Sequence, residues 1–274
     1  MLSVEERQLL YVLARDYAIG AGAMIDAGCF IGGSTAALAA GVEENPRASA
    51  IHSYDLFRLD GAYKEAYPGL VEDIEVGESM LPRFEELLGS RLDHVVVHEG
   101  DICRGRWAGD PIEVLFIDIC KTWAINDHVV GEFFPALVPG RSVVIQQDLI
   151  HEWLPFLTIT MGLFRDSFEL IGVAAPCSAI YLNTRAIPRS AIPNRLDELS
   201  VDRKVELFDR GCAPFTGEDR AVIECARAVL LVNIGRPQEA AAHLESIVAQ
   251  HPNSERVRYI GDAAGRWLAP QLGR

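Results

Sequence analysis

Five short, largely apolar runs in the first 150 residues each stop at an acid or at amides leading to one. They are 23–25 before Asp26, 48–54 before Asp55, 95–98 before Glu99-Gly100-Asp101, 114–117 before Asp118, and 142–145 before Gln146-Gln147-Asp148. Runs this short, separated by helical patterns, describe strands buried on both faces, and so an α/β fold with a parallel sheet covered by helices. Open parallel sheets bind ligands beyond the carboxyl ends of their strands. Asp26, Asp55, Asp101, Asp118 and Asp148 are therefore expected to converge on one crevice.

The remaining pattern fills in that doubly wound arrangement. Ser3 with Glu6 three residues on starts an amphipathic helix that Leu9, Leu10, Leu13 and Tyr17 continue. Helices are expected over 34–42 and 126–137, the second stopped by Pro139-Gly140, and 168–173 with 179–182 read as a closing antiparallel pair. Segment 57–79 has two Pro/Gly breaks and sets Asp60, Glu65, Glu72, Asp73, Glu75 and Glu78 against Arg58 and Lys64 alone, as expected for a lid inserted over the crevice. The domain thus spans 1–184. Residues 185–215, with Pro188, Pro193 and Asn194, read as a linker, and 216–274 as an all-helical appendage. Within that appendage Gly235-Arg236-Pro237-Gln238-Glu239-Ala240, followed by His251-Pro252-Asn253, resembles a single tetratricopeptide-type hairpin. One hairpin cannot build a solenoid, so these helices pack on the main domain or a second subunit, as in a homodimer, or offer a surface to a protein partner.

Composition excludes several functions. With 39 acidic and 25 basic side chains the 274-residue chain carries a net charge of −14, and residues 1–184 hold 27 of the acids against 12 bases. A non-specific grip on nucleic acid or on an anionic membrane is not expected. The six cysteines form no CxxC pair and read as buried free thiols in a reducing compartment, without zinc. The longest uncharged run, 27–42, has 16 residues and four glycines, too short and broken for a membrane span. Without a basic and apolar leader pattern, a soluble, cytoplasmic protein is expected.

The most informative stretch is Ile25-Asp26-Ala27-Gly28-Cys29-Phe30-Ile31-Gly32-Gly33-Ser34-Thr35. Gly28 permits a tight turn and a close backbone approach, and Gly32 lets the next helix close on the strand. A nicotinamide dinucleotide fingerprint requires glycine where Phe30 stands. The stretch instead resembles motif I of the class I S-adenosylmethionine-dependent methyltransferases, an acid followed by Gly-x-x-x-Gly. The resemblance extends over about residues 20–184. It implies a Rossmann-like sheet with an antiparallel last strand, and a cofactor loop formed by Asp26, Gly28, Cys29, Phe30, Gly32 and Ser34. It further implies that Asp55 and Leu56 lie at the ribose, Asp101 and Ile102 beside the adenine, and Asp118 at the catalytic edge.

Gly32-Gly33-Ser34-Thr35, the strand end Tyr54-Asp55-Leu56-Phe57 and the Asp118 to Asp148 arrangement are similar to the macrocin-type sugar and natural-product O-methyltransferases. Many of these use magnesium, held by an acid after the fourth strand and two adjacent acids after the fifth. The matching positions are Asp118, Gln147 and Asp148, one carboxylate having become an amide. The resemblance thus implies S-adenosylmethionine, with Mg2+ as a second cofactor if Asp118 and Asp148 suffice. Without metal a general base is needed, and His151 joins Asp118 and Asp148 as a catalytic candidate. Lys121 either orients the acceptor, neutralises a crevice acid or forms a surface ion pair. Trp123, Trp153 and Phe156 either stack on the acceptor or fill the core. The expected activity is methyl transfer to a hydroxyl of a small-molecule sugar or secondary metabolite. Two other readings stay open: a cofactor-binding module without turnover that docks a partner through its helical tail, and an NAD-dependent oxidoreductase.

Overall fold

The computed structural model describes residues 2–107 and 109–272. Ser3 and Glu6 close a reciprocal capping box on α1 (Val4–Val12), which runs on into a wider turn at Leu13–Tyr17. There follow β1 (Ala23–Ala27), α2 (Gly33–Glu43), β2 (Ile51–Asp55), the short α3 (Gly61–Ala66) and α4 (Pro68–Val71), α5 (Leu81–Leu88), β3 (Val95–Glu99) and β4 (Ile112–Ile117). Next come α6 (Trp123–Phe133), β5 (Val143–Gln146), α7 (Pro155–Leu163), and the hairpin of β6 (Phe168–Ala174) and β7 (Ser178–Asn183). Four helices end the chain: α8 (Val201–Cys212), α9 (Gly217–Asn233), α10 (Pro237–Gln250) and α11 (Glu255–Leu268).

All seven strands form one sheet in the order β3-β2-β1-β4-β5-β7-β6. The first five are parallel, and β7 runs antiparallel to β5 and β6. Register levels the carboxyl ends, because Ala27 lies beside Tyr54 and Ile117, and Ile117 beside Gln146. Asp55, Gly28, Asp118 and Gln147 therefore leave the sheet at one height. Alternate side chains enter opposite cores, Ile25, Leu115 and Val144 on one face and Met24, Phe116 and Ile145 on the other.

Strands and helices fall within a few residues of their expected places, except that 48–50 precede β2 and the helix expected to 137 ends at Phe133 in a short 3-10 turn. The expected linker, 185–215, contains α8. Leu207, Phe208 and Cys212 of this helix are fully buried, while its charged residues face outward and disguise it as a polar connector. Its crossing with α7 depends on two glycines. A Cβ at Gly162 would lie 1.8 Å from the Leu207 carbonyl oxygen, and one at Gly211 2.0 Å from that of Thr158. Apolar residues of α9, α10 and α11 continue the same cluster, and Trp153 meets Trp267 edge-on at 5.8 Å. Among the described residues no helix is long and apolar enough to cross a membrane, and the six cysteines are unpaired.

At the opposite end of the sheet from the crevice, Glu113 of β4 is fully buried. Its carboxylate accepts from the backbone amides of Ile19 (3.0 Å), Gly20 (3.1 Å) and Ala21 (3.0 Å) and from Arg141 Nε (2.7 Å). It thereby fixes where β1 begins. Removing one partner of a buried pair leaves the other uncompensated, so Glu113→Ala is expected to cost about 3–5 kcal/mol, read as a lowered urea midpoint. An unchanged midpoint would contradict this role.

Candidate active site

The loop after β1 turns at Gly28 (φ 100°) and again at Gly32 (φ 96°), which opens α2. Gly28 N–H donates to the Tyr54 carbonyl at 2.8 Å, and Asp118 N–H to that of Ala27 at 2.8 Å. A Cβ at Gly28 would lie 2.7 Å from the Asp118 carbonyl carbon, so only glycine lets this loop cross the end of β4. Between the two glycines Phe30 also has a positive φ, 50°, as do Phe57 (49°) and Asp148 (63°). Such backbone strain in non-glycine residues gathers at ligand sites, and here Phe30 and Asp148 border one cavity while Phe57 is buried behind it.

Asp55 holds the strained turns. One carboxylate oxygen accepts from Phe30 N–H and the other from Phe57 N–H, each at 2.8 Å. Burial raises its pKa against the pull of those amides. A carboxylate has about four acceptor directions, so two remain for a ligand.

The cavity has a volume of about 1330 Å³. Of the expected cofactor residues, Gly28, Cys29, Phe30, Gly32, Ser34, Asp55, Leu56, Asp101 and Ile102 line it, together with Asp118, Gln147 and Asp148. Asp26 does not. It is fully buried beneath the loop, accepting from Ser34 Oγ at 2.8 Å and Thr35 Oγ1 at 2.5 Å, so it anchors the start of α2 rather than facing a ligand. Burial raises its carboxyl to about 7 despite those hydroxyls. Asp101 caps the turn at Ile102–Arg104 by accepting from Cys103 N–H at 3.0 Å. His151 lies outside the lining; its Nδ1 is 3.2 Å from Glu152 Oε2 and 3.4 Å from Trp153 N. Trp123 and Phe156 pack against each other at 5.4 Å in the core rather than into the cavity.

Lys121 proves central. Its ammonium donates to Asp118 Oδ1 at 2.6 Å and also to Asp148 Oδ2, joining the ends of β4 and β5. Burial pushes Asp118 up to about 6, which the lysine only partly offsets. Burial also raises Asp148, but there the Lys121 charge and hydrogen bond prevail and hold the carboxyl below its usual range. The two carboxylates in turn keep Lys121 above the ordinary lysine value in spite of burial. The expected magnesium set does not assemble. An ammonium already lies between Asp118 and Asp148, and Gln147 Nε2 is turned to Cys177 Sγ at 3.4 Å. Among the described residues no group of three or more His, Cys, Asp or Glu side chains is placed to hold a metal ion.

Residues that the strand-end pattern does not reveal complete the wall. Tyr63 and Tyr67 come from the segment expected to be a lid, which returns on itself through Leu59 N–H to the Glu78 carbonyl (3.0 Å) and Met80 N–H to that of Phe57 (2.8 Å). Leu59, Val71, Ile74 and Met80 form a small core with Ile31 of the Gly28 loop. The spacing of Tyr63 and Tyr67, four apart on one helical face, is the only local sign of them.

The strand order, with β7 antiparallel, agrees with the Rossmann-like sheet with an antiparallel last strand that the sequence resemblance implies. No family model matches the sequence, and no curated protein does so. Among solved structures the chain is similar to CalS11, calicheamicin methyltransferase (21% identity over 65% of this chain and 76% of that one, TM-score 0.46). It is also similar to the O-methyltransferase NovP (18%, 66% and 78%, TM-score 0.48) and to cofactor-bound Rv0187 from MTB (19%, 67% and 81%, TM-score 0.42).

Asp26 offers a direct check on the geometry. An acid whose folded pKa lies above its unfolded value favours the fold most when protonated, so its contribution is present below 3.8 and is lost as the pH rises towards about 7. Asp26→Asn keeps an acceptor for Ser34 and Thr35 without that ionisation. Its thermal midpoint relative to wild type should therefore climb between pH 4 and pH 7 and then level off. A difference independent of pH would contradict the burial of an ionisable Asp26.

Proposed function

We propose that this chain is an S-adenosylmethionine-dependent O-methyltransferase acting on a hydroxyl of a small molecule, a sugar or a secondary metabolite. The observation that carries this reading is one cavity shared by the Gly28 loop, Asp55 and Asp101 on one side and the Asp118-Lys121-Asp148 cluster on the other. Residues 1–184 are read as the methyltransferase domain and α9 to α11 as its helical appendage.

The residues suit the cofactor. The spare acceptor directions of Asp55 fit a pair of ribose hydroxyls as charge-assisted hydrogen bonds. Asp101 and Ile102 border the space for the adenine, and the bare backbone at Gly28 admits the rest of the molecule against the end of β4. When bound, S-adenosylmethionine supplies a methyl group on a cationic sulfur, a charge that an acid-lined cavity favours.

On the acceptor side, Asp118 rather than His151 takes the hydroxyl proton. Asp118 lines the cavity, and its pKa, raised to about 6, leaves it ionised at neutral pH yet more basic than an exposed carboxylate. Lys121 positions Asp118 and Asp148 as a fixed pair. Methyl transfer demands chiefly alignment of the acceptor oxygen with the methyl carbon, which such a held cluster provides.

Release of S-adenosylhomocysteine during turnover tests this reading. The rate is expected to persist in EDTA, because Lys121 occupies the place between the carboxylates. Asp118→Asn should lower kcat by about 10²–10⁴-fold. Since the ionised carboxylate is the active form, kcat/KM should rise with pH through a midpoint at about 6 and then plateau. Activity that is abolished by EDTA and restored only by magnesium, or that is unaffected by Asp118→Asn, would contradict the assignment.

A further inference from the structure

The turn between β6 and β7 reaches Asp148 from outside the parallel strands. Its Cys177 is buried, and the thiol Sγ donates to Asp148 Oδ1 at 3.5 Å while Gln147 Nε2 donates to the sulfur at 3.4 Å. Burial raises this thiol to about 12, so it keeps the proton it donates. The Cys177 carbonyl accepts from Ile150 N–H at 3.0 Å, two residues beyond Asp148. One residue of the turn thus holds both the Asp148 side chain and the backbone that follows it.

Asp148 needs such support. Its φ of 63° is a conformation that a non-glycine residue keeps only where its surroundings impose it. Its two carboxylate oxygens have separate partners, Oδ2 accepting from Lys121 and Oδ1 from Cys177. The outer torsion of an aspartate is soft, so two donors on opposite oxygens are what fix the plane of the group. Glu6 Oε1, the other acid near the sulfur, is farther away at 3.9 Å and already accepts from Ser178 Oγ at 2.7 Å.

The turn is secured from the C-terminal helices. Arg256, in the first turn of α11, donates from Nη2 to the Pro176 carbonyl at 2.6 Å and from Nη1 to Asp219 Oδ1 of α9 at 2.7 Å. That carbonyl belongs to the peptide joining Pro176 to Cys177. A guanidinium offers its donors as a rigid fork, so the two bonds set this peptide against both helices. From the other side Ser3 Oγ donates to the Ala175 carbonyl at 2.6 Å. Trp267 of α11 also meets Trp153, on the loop after Asp148. Helix α11 therefore touches both segments that carry Asp148's supports.

Resting on the methyltransferase reading, we infer that the C-terminal helices complete the site: Arg256 is a positioning residue that, through the Pro176 carbonyl and the Cys177 thiol, sets the Asp148 carboxylate against Lys121. Neither Arg256 nor Cys177 lines the cavity. Both act through Asp148, which does, and through it on the ammonium that Asp148 shares with Asp118.

Infrared spectroscopy and kinetics on the full chain test the inference. In the difference spectrum of wild type against Cys177→Ser the other thiols cancel, leaving the S–H stretching band of Cys177. It is expected at lower frequency than that of N-acetylcysteine in water, because a carboxylate is the stronger acceptor. In Arg256→Ala, measured against Arg256→Ala/Cys177→Ser, the band should move up towards the N-acetylcysteine position. In turnover, read as release of S-adenosylhomocysteine, Arg256→Ala and Cys177→Ala should each lower kcat about tenfold to a hundredfold with KM for S-adenosylmethionine unchanged. Cys177→Ser, which keeps a donor, should restore most of the rate. A Cys177 band that does not move in Arg256→Ala, or Cys177→Ala turning over like wild type, would overturn the inference. If Arg256→Ala does not fold, the comparison of Cys177→Ala with Cys177→Ser decides. Failure of S-adenosylhomocysteine to bind wild type in calorimetry overturns the methyltransferase reading instead, and the infrared bands still decide whether Arg256 positions Asp148.

Discussion

The geometry of the site depends on one close approach. The backbone at Gly28 crosses the end of β4 so tightly that a single added carbon would collide with the Asp118 carbonyl, and the Asp118 amide is tied back to Ala27. Contact between the Gly28 loop and Asp118 is thus built into the backbone, without reliance on flexible side chains. Glu113 secures the other end of the same two strands, holding the entry to β1 against β4 and β5. Between these two points the parallel register leaves no slack, so the four strand ends stay level.

On that frame sits an electrostatic arrangement with unequal partners. Asp118 and Asp148 share Lys121, yet burial keeps the first raised while the lysine holds the second low. Two carboxylates that bind one ammonium thereby differ in proton affinity, Asp118 the more basic of the two. The chain's net charge of −14 has a local expression here, since the cavity carries twice as many acids as bases. Such surroundings favour a cationic ligand.

Much of this was legible in the sequence because it is local. Apolar runs ending at acids revealed the sheet and the edge where the cavity lies, and the glycine spacing revealed the loop. What escaped depends on distance along the chain. Asp26 looks like its neighbours at strand ends but lies within β1, on the side of the strand that meets Ser34 and Thr35. The bond from Lys121 to Asp148 arises only once β4 and β5 are in register. The meeting of Phe30 with Tyr63 requires the 57–79 excursion to fold back over the Gly28 loop, which no periodicity encodes. Helix α8 was hidden because prolines before it and charges along it outweigh four buried positions in a linear reading.

The central claim is that the crossing of Gly28 over Asp118 forms an S-adenosylmethionine site. Calorimetric titration of wild type and Gly28→Ala with S-adenosylmethionine, and of wild type with NAD, tests it most directly. One S-adenosylmethionine per wild-type chain, sharply weakened binding in Gly28→Ala and no heat with NAD are predicted. Binding of NAD in place of S-adenosylmethionine, or S-adenosylmethionine affinity untouched by Gly28→Ala, would contradict the account.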